Sequence, residues 1–430
     1  LTEASNPFPD AFLAAVSDQD HSVLPQPVQP VFVDSLSDQQ HLNTKLGAAR
    51  QLGIDTEFIR ETTFHPILAL VQVALPNDPQ QYLIDVPTLD VPTASSQEED
   101  SECLSQLKQC LLCPETQKVM HGCSEDIEIF MQFCGTVPQN IFDTQMAAAL
   151  LGARVQTGYE GLVGCIFGGQ IDKTVTRSDW LQRPLSAKQL FYAAADVTYL
   201  LPLQAVLENA LRLKGRLAWL AQEYEQLSYS LMRPTLPELA YQRIGVHWRL
   251  RGRSLYVLQQ LCIWREHQVR ERNIPRSFLL SDAAVLALAK SYHLPPAQLR
   301  RLEDIKPIQW RRYGGEIVEA LKAIVHNAPE HAGHDLPVIL PRSKKYRQLV
   351  KQLKTLVANR AKALSLETNV LLGKRYLNQF LDLAQAQYQA TQRIDLSQLS
   401  GPPWLSGWRQ TEILSHLVGP LEAWLKAQET

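Results

Sequence analysis

Two carboxylates spaced two residues apart, Asp55 and Glu57, close the short apolar run Leu52-Gly53-Ile54 and precede Phe58. Side chains alternate along a strand with a period of two, so both acids point to one face. Like charges side by side on a sheet repel, and a fold tolerates the pair most readily with a cation between them. Hard divalent ions such as magnesium and manganese prefer oxygen ligands. Further acids follow in order. Val119-Met120-His121-Gly122 reads as a short strand ending in a glycine turn, and Ser124-Glu125-Asp126 then leads into Ile127, Phe130 and Met131 at helical spacing. Ser124 is expected to cap that helix, which puts Asp126 in its first turn, where the dipole favours a carboxylate. Ser186-Ala187-Lys188-Gln189 has the form of a capping box. The helix it opens carries Tyr192 and Asp196 at i and i+4, one turn apart on one face.

Taken together, GIDTEF (53–58), HGCSEDIEIF (121–130), FDTQMAAALLG (142–152), DKTVTRSDWLQRPLS (172–186) and YAAADVTYLLPL (192–203) resemble the motifs of the DEDD 3′→5′ exonucleases. The likeness is to their tyrosine subclass, and within it to the ribonuclease D family. Each motif alone is weak, but the ordered set is specific, and it covers roughly residues 30 to 230. The resemblance implies a ribonuclease H-like fold with a mixed α/β sheet. It implies two divalent ions, Mg2+ or Mn2+, with Asp55 bridging them, Glu57 and Asp196 completing the one that activates water, and Asp126 supporting the other. Tyr192 would orient the attacking water, since a free phenol titrates near pH ~10 and is a weak base at neutrality. The implied reaction is hydrolysis releasing nucleoside 5′-monophosphates from a 3′ end, with tRNA precursors or other structured RNA as substrates.

The chemistry accounts for these residue types. Hydrolysis of a phosphodiester develops charge on the attacking and leaving oxygens, and two ions about 3.5–4 Å apart can clamp both. Four carboxylates roughly neutralise two such ions; without metal they repel, and some take up protons. Lys173 and Arg177 read as phosphate contacts or as ordinary surface charge, and Phe58 and Gln72 join them as candidate substrate contacts. Taken singly, Asp126 reads equally as a helix-start acid and Asp196 as a solvated one. Asp143, between Phe142 and Thr144, reads as a helix N-cap. Trp180 reads as core or a structural wedge, and His121, alone, as no metal ligand. Cys110 and Cys113 form a Cys-x-x-Cys pair, yet Cys103-Leu104, Leu107 and Cys110-Leu111-Leu112 trace the apolar stripe of a helix. Buried thiols are therefore expected rather than a zinc or redox site.

A chain of 430 residues is long for one domain. Residues 1–30 are Pro-rich and polar, expected to form a flexible N-terminal arm. Residues 31–235 alternate strand and helix and form the expected exonuclease domain. Leu68 to Leu75 and Tyr82 to Val86 read as its second and third strands, joined by the turn Pro76-Asn77-Asp78-Pro79. After Arg233-Pro234 the chain is almost wholly helical. Residues 249–326 resemble an HRDC domain, the small helical bundle of ribonuclease D and RecQ-type helicases. Residues 327–341 read as a linker, and 342–430 as a second HRDC-like bundle, because Leu353, Leu356 and Arg360 repeat the offsets of Leu258, Leu261 and Arg265. Trp404, Trp408 and Trp424 mark this copy and are expected in its core.

The net charge of −2 conceals an asymmetry: residues 1–200 hold 25 acids against 10 Lys or Arg, and residues 201–430 hold 19 against 32. An acidic half and a basic half suit a division between cutting and holding a polyanion. No run of 18 apolar residues is evident, so neither a transmembrane helix nor a membrane partner is expected. The start, Leu1-Thr2-Glu3-Ala4, lacks a signal pattern and an initiator Met, as expected if the natural start lies upstream. Seven cysteines without a secreted framework fit a reducing cytoplasm, and a monomer is expected. Two other readings stand beside the exoribonuclease: a DNA 3′→5′ exonuclease of the same fold, because the motif residues do not contact the 2′-hydroxyl, and a non-catalytic RNA-binding scaffold.

Overall fold

The alternation of Leu52, Ile54 and Thr56 with Gly53, Asp55 and Glu57 becomes the central strand of a six-stranded mixed sheet in the computed structural model. The structure describes residues 8–17, 28–89, 102–168, 178–233, 236–334, 336 and 343–429. The strands are β1 (Val31–Val33), β2 (Gln51–Ile59), β3 (Ile67–Ala74), β4 (Gln81–Ile84), β5 (Gln117–Met120) and β6 (Ile141–Asp143), in the order β1-β4-β3-β2-β5-β6. β4 runs antiparallel to β3 and parallel to β1, while β5 runs parallel to β2 and β6, with Gln51 opposite Gln117 and Lys118 opposite Ile141. The turn between β3 and β4 holds Asn77 at φ 59°, a conformation that asparagine tolerates better than most residues.

One face of the sheet buries Leu52, Ile54, Val71 and Val73 against the helices Leu36–Ala48, Glu102–Leu112 and Ser124–Cys134. Cys110 lies in that core as expected, its thiol donating to Leu46 O at 3.1 Å. The other face packs under the helices Ala187–Thr198 and Leu200–Leu213. These two helices together are long and apolar enough to cross a membrane by composition, which the sequence reading missed. Here Leu200, Leu203, Leu207 and Leu211 are core residues of the nuclease.

The chain forms two compact units. The first comprises residues up to Phe58, Leu68–Met232 and Lys344–Thr430. The tail is thus no free-standing second bundle. Tyr346, Leu349, Leu353, Phe380 and Leu417 share one apolar cluster with Ala147, Leu150, Leu203 and Leu207 of the nuclease region. Arg409, 4% exposed, pairs with Glu223, 8% exposed, and also donates to Leu371 O and Val370 O. Trp404 and Trp408 are buried, and Trp408 Nε1 donates to Glu223 at 2.7 Å. The expected N-terminal arm is corrected as well. Asp10–Val16 is a helix whose Phe12 and Val16, one turn apart on one face, enter the same core, and Phe8 ahead of it stacks on Phe12 there.

The second unit comprises Ile59–Ile67 and Arg233–Ser343. Its long helices Gly252–Glu271 and Pro307–His326 bury Leu255, Leu258, Leu261, Ile317 and Leu321. Arg265 donates to Leu280 O at 2.9 Å and to Asp282 at 2.7 Å. Asn273, at φ 48°, accepts through Oδ1 from the backbone N–H groups of Phe64 and His65 at 3.0 and 2.8 Å. The start of the expected linker is packed into this unit: Ala332 is buried, and a side chain on Gly333 would strike Gly252 O.

Candidate active site

Gly53 lets the late helix pack tightly on the sheet. A Cβ there would lie 3.1 Å from Leu200 Cβ and 3.4 Å from Val197 O, so any side chain at 53 would press the helix pair outward by a few tenths of an ångström. Tyr192 and Asp196 thereby come near Asp55 and Glu57. The capping box at the start of the helix is formed as expected, with the Ser186 hydroxyl accepting from Gln189 N and Gln189 Oε1 from Ser186 N. The far end is pinned by Tyr159, whose hydroxyl donates to Ala195 O at 3.2 Å and accepts from Tyr199 N at 2.9 Å.

Asp126 arrives from the opposite side of β2. Ser124 does not cap its helix; Cys123 occupies the cap position without a side-chain bond. Asp143 does the expected capping of Thr144–Leu150, accepting from Gln145 N and Met146 N at 2.8 and 3.2 Å. It also accepts from Gly122 N and Cys123 N at 2.9 and 3.2 Å, which fixes the turn ahead of Asp126. Thr56, between the two acids of β2 and pointing away from them, donates its hydroxyl to Asp126 Oδ1. His121 is structural: Nδ1 meets Thr144 Oγ1 at 2.9 Å, Nε2 meets Thr157 O at 3.0 Å, and the ring packs edge-on against Tyr159.

The four acids sense one another. Asp126 is buried, while Asp55, Glu57, Tyr192 and Asp196 are half-buried. Burial, then the carboxylates of Asp126, Asp196 and Glu57, hold Asp55 well above the usual carboxyl range. Burial, then Asp196 and Asp126, lift Glu57 to about 9. Burial lifts Asp196 to about 7 and Asp126 to about 6, against opposing hydrogen bonds from Tyr192 and Thr56. The Tyr192 hydroxyl donates to Asp196, and burial beside three carboxylates pushes its pKa up, so it stays a donor. Among the described residues no three His, Cys, Asp or Glu side chains close into a ready-made cage. The all-oxygen donor set and the unbalanced negative charge fit hard divalent cations.

The remaining expectations divide. Phe58 is half-buried at the end of β2. Gln72 is fully buried on β3, which corrects the expectation that it meets substrate: its amide has no surface to offer. Lys173 and Arg177 lie outside the described residues. Trp180 is buried as a wedge against Tyr192. The sequence reading missed Gly53, Thr56, Tyr159 and Arg183. Of these, only the alternation that turns Thr56 away from Asp55 carried a signal in the sequence.

A mixed sheet that brings four carboxylates and a tyrosine together is the arrangement of a 3′–5′ exonuclease, a fold type generally dependent on divalent metal, and the comparisons agree on the class. Residues 30–212 match the 3′–5′ exonuclease family model, 254–321 the HRDC domain, and 344–417 the C-terminal HRDC domain of ribonuclease D. Ribonuclease D of Pseudomonas paraeruginosa is 34% identical over 86% of this chain and 92% of its own. Ribonuclease D of Escherichia coli is 30% identical over 83% of this chain and 89% of its own. The crystal structure of the E. coli RNase D, an exoribonuclease involved in structured RNA processing, superposes with a TM-score of 0.78 at 26% identity, covering 92% of this chain and 99% of that one. The chain belongs to the ribonuclease D family and is a 3′–5′ exoribonuclease.

Proposed function

We propose that Asp55, Glu57, Asp126 and Asp196 hold two divalent ions, Mg2+ or Mn2+, and that the enzyme releases nucleoside 5′-monophosphates from the 3′ ends of structured RNA, tRNA precursors among them. The observation that carries this reading is the proximity of four carboxylates, each raised above its ordinary pKa by burial, and Asp55 and Glu57 by the other acids of the set as well. Bound there, the ions would supply charge neutralisation at the attacking and leaving oxygens. Asp55 takes the central role because it faces the other three acids. Tyr192, protonated and hydrogen-bonded to Asp196, orients the attacking water as a donor rather than removing its proton. Phe58, near the end of the acid-bearing strand, contacts the terminal nucleotide, and Lys173 and Arg177 contact phosphates. Exposed Lys and Arg among the 32 after residue 200, not the buried Arg265 and Arg409, hold the rest of the RNA.

The test is timed degradation of a 3′-extended tRNA and of matched RNA and DNA oligonucleotides, with Mg2+, Mn2+ or chelator. Single-nucleotide shortening of RNA, restored by metal, is expected. Asp55→Asn should lower it by about 10³-fold or more; wild-type activity in that variant would remove the site. A monomer acting in the cytoplasm completes the reading. Light scattering and cell fractionation test those two points, and the free thiols among the described cysteines support the second.

A further inference from the structure

The segment before the catalytic helix is held by one side chain. Arg183 places all five of its N–H donors. Nε donates to Asp85 Oδ2 at 3.0 Å, and Nη2 donates to Asp85 Oδ1 and to Ala69 O at 3.2 Å. Nη1 donates to Trp180 O at 2.7 Å and Gln182 O at 3.0 Å. Asp85, at the end of β4, is 1% exposed and is itself fixed by Thr88 Oγ1 at 2.7 Å and by its own N–H to Val33 O at 3.2 Å. The guanidinium therefore staples the turn Asp179–Pro184 to β3 and β4 through a buried carboxylate.

That turn carries Trp180. The indole is 2% exposed and packs in one cluster with Leu70, Leu83, Leu185 and Ala193. Its ring centroid stands 6.1 Å from that of Tyr192, the planes inclined by 35°. Among the described residues Trp180 Nε1 has no hydrogen-bond partner. The ring is located by packing and by its backbone, and the bond from Arg183 to Trp180 O is what fixes that backbone.

We propose that Arg183 is a positioning residue for Tyr192: it sets the Trp180 wall against which the phenol rests, and so sets where the hydroxyl points. The inference rests on the role given to Tyr192 above. Lysine cannot replace the fork, because a single ammonium with three donors does not span a carboxylate and three carbonyls. Misplacing a reacting or orienting group by about 1 Å costs roughly 100-fold in rate, so the loss falls on kcat, and RNA affinity is left alone.

The experiment is a double-mutant cycle on a 3′-extended RNA at saturating metal, with Arg183→Lys, Trp180→Leu and Tyr192→Phe alone and in pairs. Arg183→Lys is expected to lower kcat by about 10–100-fold with KM changed less than about threefold. In the Tyr192→Phe background the same change should cost less than about threefold, because the hydroxyl it positions is already gone. Trp180→Leu should behave like Arg183→Lys and should not add to it. Equal factors in both backgrounds, or a kcat loss that follows the loss of folded protein in thermal melts, would overturn the proposal. Unchanged kcat in Tyr192→Phe would remove the role of the tyrosine and the proposal with it, whereas a full effect of Tyr192→Phe with additive Arg183→Lys would remove the proposal alone.

Discussion

The two helical modules after residue 233 repeat a motif and use it differently. In the first, Arg265 reaches Leu280 O and an Asp282 carboxylate whose side chain is 60% exposed, inside a bundle with its own apolar core. In the second, the equivalent Arg360 pairs with Glu412, and another arginine, Arg409, ties the module to Glu223 of the nuclease through a buried ion pair. The first module keeps a separate core, while the second completes the core of the catalytic unit. A repeat in sequence records common architecture; the burial of each arginine's partner tells which modules fold as one.

That contrast can be broken most sharply at Arg409. Arg409→Met leaves Glu223 charged and buried, and should cost about 3–5 kcal/mol. Calorimetry or denaturant titration should show the nuclease and the tail losing stability together, in one transition. Separate melting of the tail would contradict the shared core. For the same reason, removing residues after Arg342 should destabilise the nuclease rather than merely trim RNA affinity.

A smaller effect is expected at Arg265. Its carboxylate partner is mostly solvated, so Arg265→Met loses two hydrogen bonds without stranding a buried charge, about 1–2 kcal/mol. Hydrogen exchange should speed up in 252–326 and leave Leu349 to Ala361 unchanged. Accelerated exchange in both modules would mean that they unfold as one.

An effect of similar size, spread over pH, separates the acidic cluster from both modules. The four acids have folded pKa values raised above their unfolded values of about 4. The folded state therefore binds more protons than the unfolded one across the window from about pH 4 to Glu57 near 9, and stability falls as pH rises through it. In chelator the melting temperature of the catalytic unit should decline between pH 5 and 9. Asp196→Asn should recover about 1–3 kcal/mol at the upper end, a few degrees. The first module, without such a cluster, should show no comparable slope. Added Mn2+ should flatten the decline in wild type and do so less in Asp196→Asn.

The acids and the tyrosine of the candidate site were legible because their side-chain types recur at short, regular spacings. Asp55 and Glu57 share a face by the period of a strand, and Tyr192 and Asp196 by the turn of a helix; neither relation depends on the rest of the fold. Asp143 and Ser186 were legible as caps for the same reason. Gln72 was misread because an amide in an apolar strand gives no sign of whether its face is covered. Gly53, Tyr159 and Arg183 act across long stretches of chain, at a helix crossing, a helix junction and a buried carboxylate.

Local periodicity and donor chemistry were thus enough to place the acids on β2, to mark β3 and β4 among the strands and to find the capped helices, while the reaction class followed from the resemblance of the ordered motifs to a known family. Tertiary structure alone decided which helices share a core, that the N-terminal residues Phe8 to Val16 belong to it, and what holds Trp180 against Tyr192. The physical reason is that a side chain's periodicity is set by its neighbours in sequence, whereas burial and the pairing of buried charge are set by whatever distant segment arrives to cover them.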